Sequence, residues 1–157
     1  MPETLFVKVA ECVVSGAPGV LSTQGIGSCV AVCLYEKIAK VGALAHVMLP
    51  KSYNLSDAGI PDNIYRAMDT AIPAMMQEFS NRNIKPAQLC AKLAGGAHMF
   101  RVLGGNENDI GTRNVRKAEE MLDALGVSIE AEEVGGNVGR SLTFDLDTGI
   151  VYVTTKM

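Results

Sequence analysis

No stretch of this 157-residue sequence approaches the roughly 20 consecutive apolar residues that a membrane-spanning helix needs, so direct membrane insertion is not expected. A secretory signal is missing as well. Met1-Pro2-Glu3-Thr4 has neither a basic start nor an apolar core, which makes the cytoplasm the expected location. Basic excess is absent too: the formal net charge is −3, and without clustered Lys and Arg to neutralise phosphates no nucleic-acid partner is expected. The chain lacks repeats, low-complexity tracts and any composition break that would mark a linker. Its 157 residues are most simply one domain, spanning residues 1–157, large enough to bury a core without staples. With 48% hydrophobic and 20% charged residues, the composition is that of an ordinary globular protein.

Disulfides are rare in the cytosol, so Cys12, Cys29, Cys33 and Cys90 read as free thiols. Three of them lie among Val, Ala and Leu in strand-like stretches, where a free cysteine acts as a small core hydrophobe. Cys29 differs. It ends the run Leu21-Ser22-Thr23-Gln24-Gly25-Ile26-Gly27-Ser28, where a glycine-broken turn passes into the apolar segment Val30-Ala31-Val32. The glycines supply bare backbone for close approach of a substrate, and a thiol there is expected to be presented rather than buried.

Strands are expected over residues 4–14, 20–23, 28–36 and 41–49, with turns at Ser15 to Gly19 and around Glu36, Lys37 and Lys40. The segment Asn54 to Pro61 reads as a loop. Pro61 then opens a helix to about Arg82, with Ile64, Ala67, Met68, Ala71, Ile72, Met75 and Phe79 at helical spacing and Pro73 as an internal flaw. A strand over residues 89–94 leads into Gly95-Gly96, and a loop at Gly104-Gly105 precedes a helix from about Gly111 to Leu125 capped by Gly126. A strand at 127–134 and a hairpin with arms 141–146 and 150–155 complete the chain. Several strands before the first helix favour an α+β architecture over a doubly wound parallel sheet.

Seventeen residues beyond Cys29 stands His46, one of only two histidines, in the otherwise apolar segment Gly42 to Pro50. A polar ring in such surroundings costs stability unless it has a partner. If the two segments are neighbouring strands, thiol and imidazole meet, which is the minimum equipment of a cysteine hydrolase. A free thiol is mostly protonated at neutral pH and needs a base, and an activated one would alkylate below the ordinary thiol range. The alternative is a buried thiol beside a structural histidine. Counting Cys29, Cys33, His46 and His98 as zinc ligands is the sharper competitor. On one strand, however, Cys29 and Cys33 lie roughly 13 Å apart, too far to share an ion or to form a disulfide. Gly25-Ile26-Gly27 precedes a strand instead of opening a helix, so it fails as a dinucleotide loop.

The segments Leu21 to Val32, Gly42 to Pro50, Ala91 to Phe100, Ile110 to Val115 and Gly135 to Arg140, in this order, together resemble the bacterial chemotaxis CheD family over nearly the whole chain. The resemblance implies a chemoreceptor glutamine deamidase, a hydrolase that converts receptor glutamine side chains to glutamate and releases ammonia. It also implies a layered α/β sandwich similar to the catalytic domain of the deamidating cytotoxic necrotizing factor toxins. By the same resemblance Cys29 is the nucleophile, His46 the general base and Thr23 the orienting residue. The turn at Gly27 and Ser28 is the natural source of oxyanion donors. No cofactor and no metal is implied. The partners would be the cytoplasmic helices of chemoreceptors and the phosphatase CheC, regulated with phosphorylated CheY. Met48, Leu49, Met99 and Phe100 are candidate rim residues for a helix. His98 stands where a small residue is expected, and no catalytic role is assigned to it. The remaining readings are a binding protein for receptors or CheC with a vestigial thiol site, and a receptor glutamate methylesterase.

Overall fold

The computed structural model describes residues 3–52, 63–99 and 109–156. The expected loop from Asn54 to Pro61, the helix start at Pro61, the Gly104-Gly105 loop and Phe100 lie outside them. Nine strands and two α-helices are described: β1 (Thr4–Phe6), β2 (Cys12–Gly16), β3 (Val20–Ile26), β4 (Val30–Glu36), β5 (Val41–Val47), α1 (Met68–Ser80), β6 (Cys90–Gly95), α2 (Ile110–Leu125), β7 (Ser128–Val134), β8 (Gly139–Asp145) and β9 (Val151–Lys156). They form two mixed sheets, ordered β1-β3-β8-β9 and β2-β5-β4-β6-β7. Most pairings are antiparallel, with β1–β3 and β6–β7 parallel. The α+β class expected from the sequence is the class observed.

Every residue of β4 is buried, which explains its unbroken apolar run: a central strand covered on both faces cannot alternate. Val30, Val32 and Leu34 face Met68, Ile72, Met75 and Phe79 of α1 and Ala118 and Leu122 of α2. The opposite residues Ala31, Cys33 and Tyr35 pack with Leu21, Ile26, Leu142 and Phe144 of the other sheet. Three layers result: four-stranded sheet, five-stranded sheet, helices. Strand β8, exposed on one face only, keeps the two-residue alternation of a half-covered strand. Helix α1 retains the expected core stripe from Met68 to Phe79 despite Pro73. Helix α2 ends at Gly126 in the left-handed conformation, φ 77°, where a glycine meets no Cβ penalty. No described helix is long and apolar enough to cross a membrane.

Two expected elements are corrected: the helix expected from Pro61 to about Arg82 is α-helical only from Met68, with Ile64–Arg66 a 3-10 turn and Ala67 extended, and the first strand divides. Residues 4–14 are not one strand but β1 and β2, which belong to different sheets. The chain crosses between layers at residues 7–11, with Ala10 at φ 63°. A left-handed alanine carries no sequence signal, and the alternation simply runs across the corner. The crossing has a consequence for the site, because Ala10 N–H donates to His46 O and His46 N–H donates to Glu11 O. Smaller shifts occur elsewhere. Strand β3 runs on to Ile26, while β4 begins at Val30 and leaves Cys29 in the preceding turn.

Candidate active site

Strands β4 and β5 are antiparallel neighbours with Val30 opposite Val47 and Ala31 opposite His46. The short turn after Glu36 leaves the chain no other way to return. Ala31 and Leu44 both belong to the core between the sheets, so the period of two also aims His46 at that interior. Cys29 stands two residues before Ala31, in the turn that precedes β4. That turn opens directly onto the strand paired with His46.

His46 is fully buried, and its Nδ1 is 2.8 Å from Thr23 Oγ1 on β3 of the other sheet. The tautomer follows from elementary bookkeeping. Thr23 has one hydroxyl hydrogen, and it donates that to Val7 O at 2.6 Å. A carbonyl cannot donate, so the hydroxyl must accept from His46, and Nδ1 carries the proton. The lone pair then sits on Nε2, which is buried and makes no hydrogen bond among the described residues. Burial also lowers the His46 pKa, so the ring rests neutral. The result is an oriented imidazole with its basic nitrogen uncommitted.

The valine-for-threonine exchange isolates this contact. Thr23→Val keeps the shape and strands both Nδ1–H and Val7 O. Losing a hydrogen bond worth about 1–1.5 kcal/mol should slow turnover about 10-fold. Steady-state turnover measures it, and an unchanged rate would leave Thr23 without a part in the chemistry of this site.

The thiol departs from one expectation. Cys29 is half-buried, not openly presented, and desolvation pushes its pKa up, partly offset by a hydrogen bond from its own backbone N–H. With the thiol raised and the imidazole lowered, the resting pair is thiol and neutral ring, not thiolate and imidazolium. The other cysteines are free and ordinary: Cys33 is buried in the inter-sheet core, and burial pushes Cys12 and Cys33 to about 12.

Bare backbone around Cys29 is a steric requirement. Gly95, at φ 120°, lies so close that an added Cβ would stand 2.2 Å from Cys29 O. Gly96 N–H donates to Cys29 O and Ala97 N–H to Gly27 O, and Gly135 N–H donates to Gly95 O. Gly95-Gly96 thus borders the Cys29 turn, and Gly135 holds Gly95 from the other side of the pair. A Cβ on Gly27 would meet Met99 Cγ at 3.2 Å. Met48 and Met99 are exposed at the rim, and Leu49 is half-buried. His98 Nδ1 lies 3.3 Å from Asp109 Oδ2. Among the described residues no three His, Cys, Asp or Glu side chains gather to hold a metal ion.

Three participants carried no role in the sequence reading. Val7 O orients Thr23. Arg140, buried on β8, reaches Gly95 O at 3.2 Å and pairs with Glu133 at 3.0 Å, bracing the glycine strap. Asn114 on α2 is wholly buried and donates to Ser28 O and Met48 O. Neither of the last two carried a clear local signal, with Asn114 between Arg113 and Val115 and Arg140 between Gly139 and Ser141. The carbonyls they reach lie 45 to 86 residues away.

Comparison with known proteins adds a second kind of evidence. Residues 48–155 match the family model described as CheD chemotactic sensory transduction. The chain is 41% identical over 152 residues to a probable chemoreceptor glutamine deamidase CheD of Caldanaerobacter subterraneus, covering 96% of this chain and 92% of that protein. It is 42% identical over 147 residues to the chemoreceptor glutamine deamidase CheD of Thermotoga maritima, covering 94% and 88%. Among solved structures, the Bacillus licheniformis hypothetical protein YfiH superposes with a TM-score of 0.52 at 13% identity, covering 78% of this chain and 49% of that one. That likeness concerns the fold alone.

Proposed function

The chain belongs to the CheD family, and from that premise we propose that it is a chemoreceptor glutamine deamidase working through a Cys29 thioester. The observation that carries the chemistry is the His46 ring, fixed by Thr23 with a free Nε2, on the strand paired with the one that Cys29 precedes. Cys29 Sγ attacks the carboxamide carbon of a receptor glutamine while its proton passes to His46 Nε2. The carbonyl oxygen gains the charge, and the Ser28 and Cys29 N–H groups of the Gly27-Ser28-Cys29 turn are its donors. His46 returns the proton to the nitrogen, the C–N bond breaks and ammonia leaves. Water, deprotonated by His46, then attacks the thioester, releasing glutamate and the free thiol.

Thr23 contributes orientation without a buried charge. The exposed Met48 and Met99 beside the turn suit the face of a receptor helix. The same surface is our proposed contact for CheC, whose occupancy would exclude the receptor, with phosphorylated CheY shifting the balance. The catalytic unit is read as one cytoplasmic domain. The layered arrangement of two sheets and helices supports a likeness to the cytotoxic necrotizing factor catalytic domain.

The test incubates the protein with a chemoreceptor cytoplasmic fragment and follows mass and released small molecules. Deamidation adds about 1 Da per converted glutamine and liberates ammonia, and prior carboxamidomethylation of Cys29 stops it. Methanol release from methylated receptor, without ammonia, would establish the methylesterase instead. Receptor binding with neither product would leave a binding protein.

A further inference from the structure

Asn114 commits both hydrogens of its amide: Nδ2 donates to Ser28 O at 2.9 Å and to Met48 O at 3.0 Å. Both partners are carbonyls, so a flipped amide would set oxygen against oxygen, and the orientation is unambiguous. Its Oδ1 is buried without a hydrogen-bond partner among the described residues. An apolar side chain of the same size would remove that orphan acceptor but leave both carbonyls without their donor. Close packing brings it there. A Cβ on Gly111 would stand 2.6 Å from both Gly96 O and Ala97 O, so α2 touches the glycine strap directly. Ser28 precedes the nucleophile and Met48 follows the base by two residues. One side chain from a third element therefore ties the turn of Cys29 to the strand end of His46.

Three successive carbonyls of that turn are held from the same side. Gly27 O accepts from Ala97 N–H at 2.9 Å, Ser28 O from Asn114, and Cys29 O from Gly96 N–H at 2.8 Å. Ala17-Pro18 is the only cis bond among the described residues. In a trans peptide the C=O and the next N–H point in opposite directions. The Ser28 and Cys29 N–H groups are therefore turned away from α2 and the strap, and neither donates to a backbone carbonyl among the described residues. Only the peptide between Ser28 and Cys29 depends on a side chain for its orientation.

The geometry points to Asn114 as the positioning residue of this site: by anchoring Ser28 O it aims Cys29 N–H at the oxygen of the tetrahedral intermediate, and by anchoring Met48 O it holds that turn in register with His46. This rests on Cys29 being the nucleophile. Charge reaches the oxygen only in the transition state, so the role belongs to kcat and not to substrate affinity.

The experiment measures kcat and KM separately for Asn114→Ala with a chemoreceptor fragment, beside wild type and wild type carboxamidomethylated at Cys29. A misplaced donor costs about 10²-fold, so kcat should fall by that factor while KM stays within about twofold. A kcat within about threefold of wild type per folded molecule, or a loss confined to KM, overturns the proposal. Should the alanine variant not unfold cooperatively, Asn114→Ser serves. Its single short hydroxyl cannot span both carbonyls, and the same split decides. Deamidation surviving carboxamidomethylation overturns the thioester reaction itself, and this positioning role with it. Deamidation blocked there but undiminished in the asparagine variants overturns only the positioning role.

Discussion

Cys29→Ala should reduce glutamine deamidation to the uncatalysed background, a loss of about 10⁶-fold by the cost of deleting an enzyme's nucleophile. In the proposed reaction the sulfur is the atom to which the acyl group is transferred, and no other cysteine can stand in for it. Cys33 is sealed between the sheets, Cys12 packs against the helical side, and Cys90 lies opposite Tyr35 at the far end of β4. Folding should be nearly untouched, with a change within about 1 kcal/mol, because the side chain is half-buried and small. Thermal unfolding and receptor binding should therefore match wild type while the mass of the receptor fragment stays constant. Conversion continuing at an appreciable rate would place the nucleophile elsewhere.

His46→Ala should cost between about 10² and 10⁴ in kcat, the range for loss of a positioned general base. It also leaves Thr23 Oγ1 without the ring N–H. The pH dependence is the sharper signature. Burial lowers the His46 pKa, so the base stays unprotonated below the ordinary histidine value. The wild-type rate should hold as pH falls through 6.5 and decline only beneath it, as Nε2 takes a proton. The alkylation rate of Cys29 should rise late, above the ordinary thiol range, because its own pKa is pushed up by burial. Stability carries the same sign. The unfolded chain protonates His46 first, so its contribution is complete above pH 6.5 and is lost as pH falls toward the depressed folded pKa. The alanine variant should lack that acid slope in chemical denaturation. An acid limb centred at or above 6.5, or a rate insensitive to the substitution, would leave His46 structural.

Local patterns made a good part of the fold legible. The stripe from Met68 to Phe79 showed which face of α1 is buried, and Gly126 marked the end of α2. The solid apolar run of β4 followed by a short polar turn put β4 beside β5, with His46 on β5 and Cys29 in the turn before β4. Thr23 was named through resemblance, not through pattern. Nothing in a two-residue alternation tells which atom of a distant strand will meet a ring. The corner at residues 7–11 escaped notice for the related reason that a left-handed alanine looks like any other.

By itself the sequence determined the periodicities, and with them the strands, the helices and the faces each would bury, because burial of apolar side chains is a local pattern repeated along an element. Tertiary structure alone decided that Val7 O would set the Thr23 hydroxyl and hence the His46 tautomer, and that Asn114 would reach Ser28, 86 residues away. It also decided that desolvation would raise the thiol and lower the ring. Hydrogen-bond partners and desolvation depend on what packs across the layers, and atoms from separate elements acquire those neighbours only when the chain has closed.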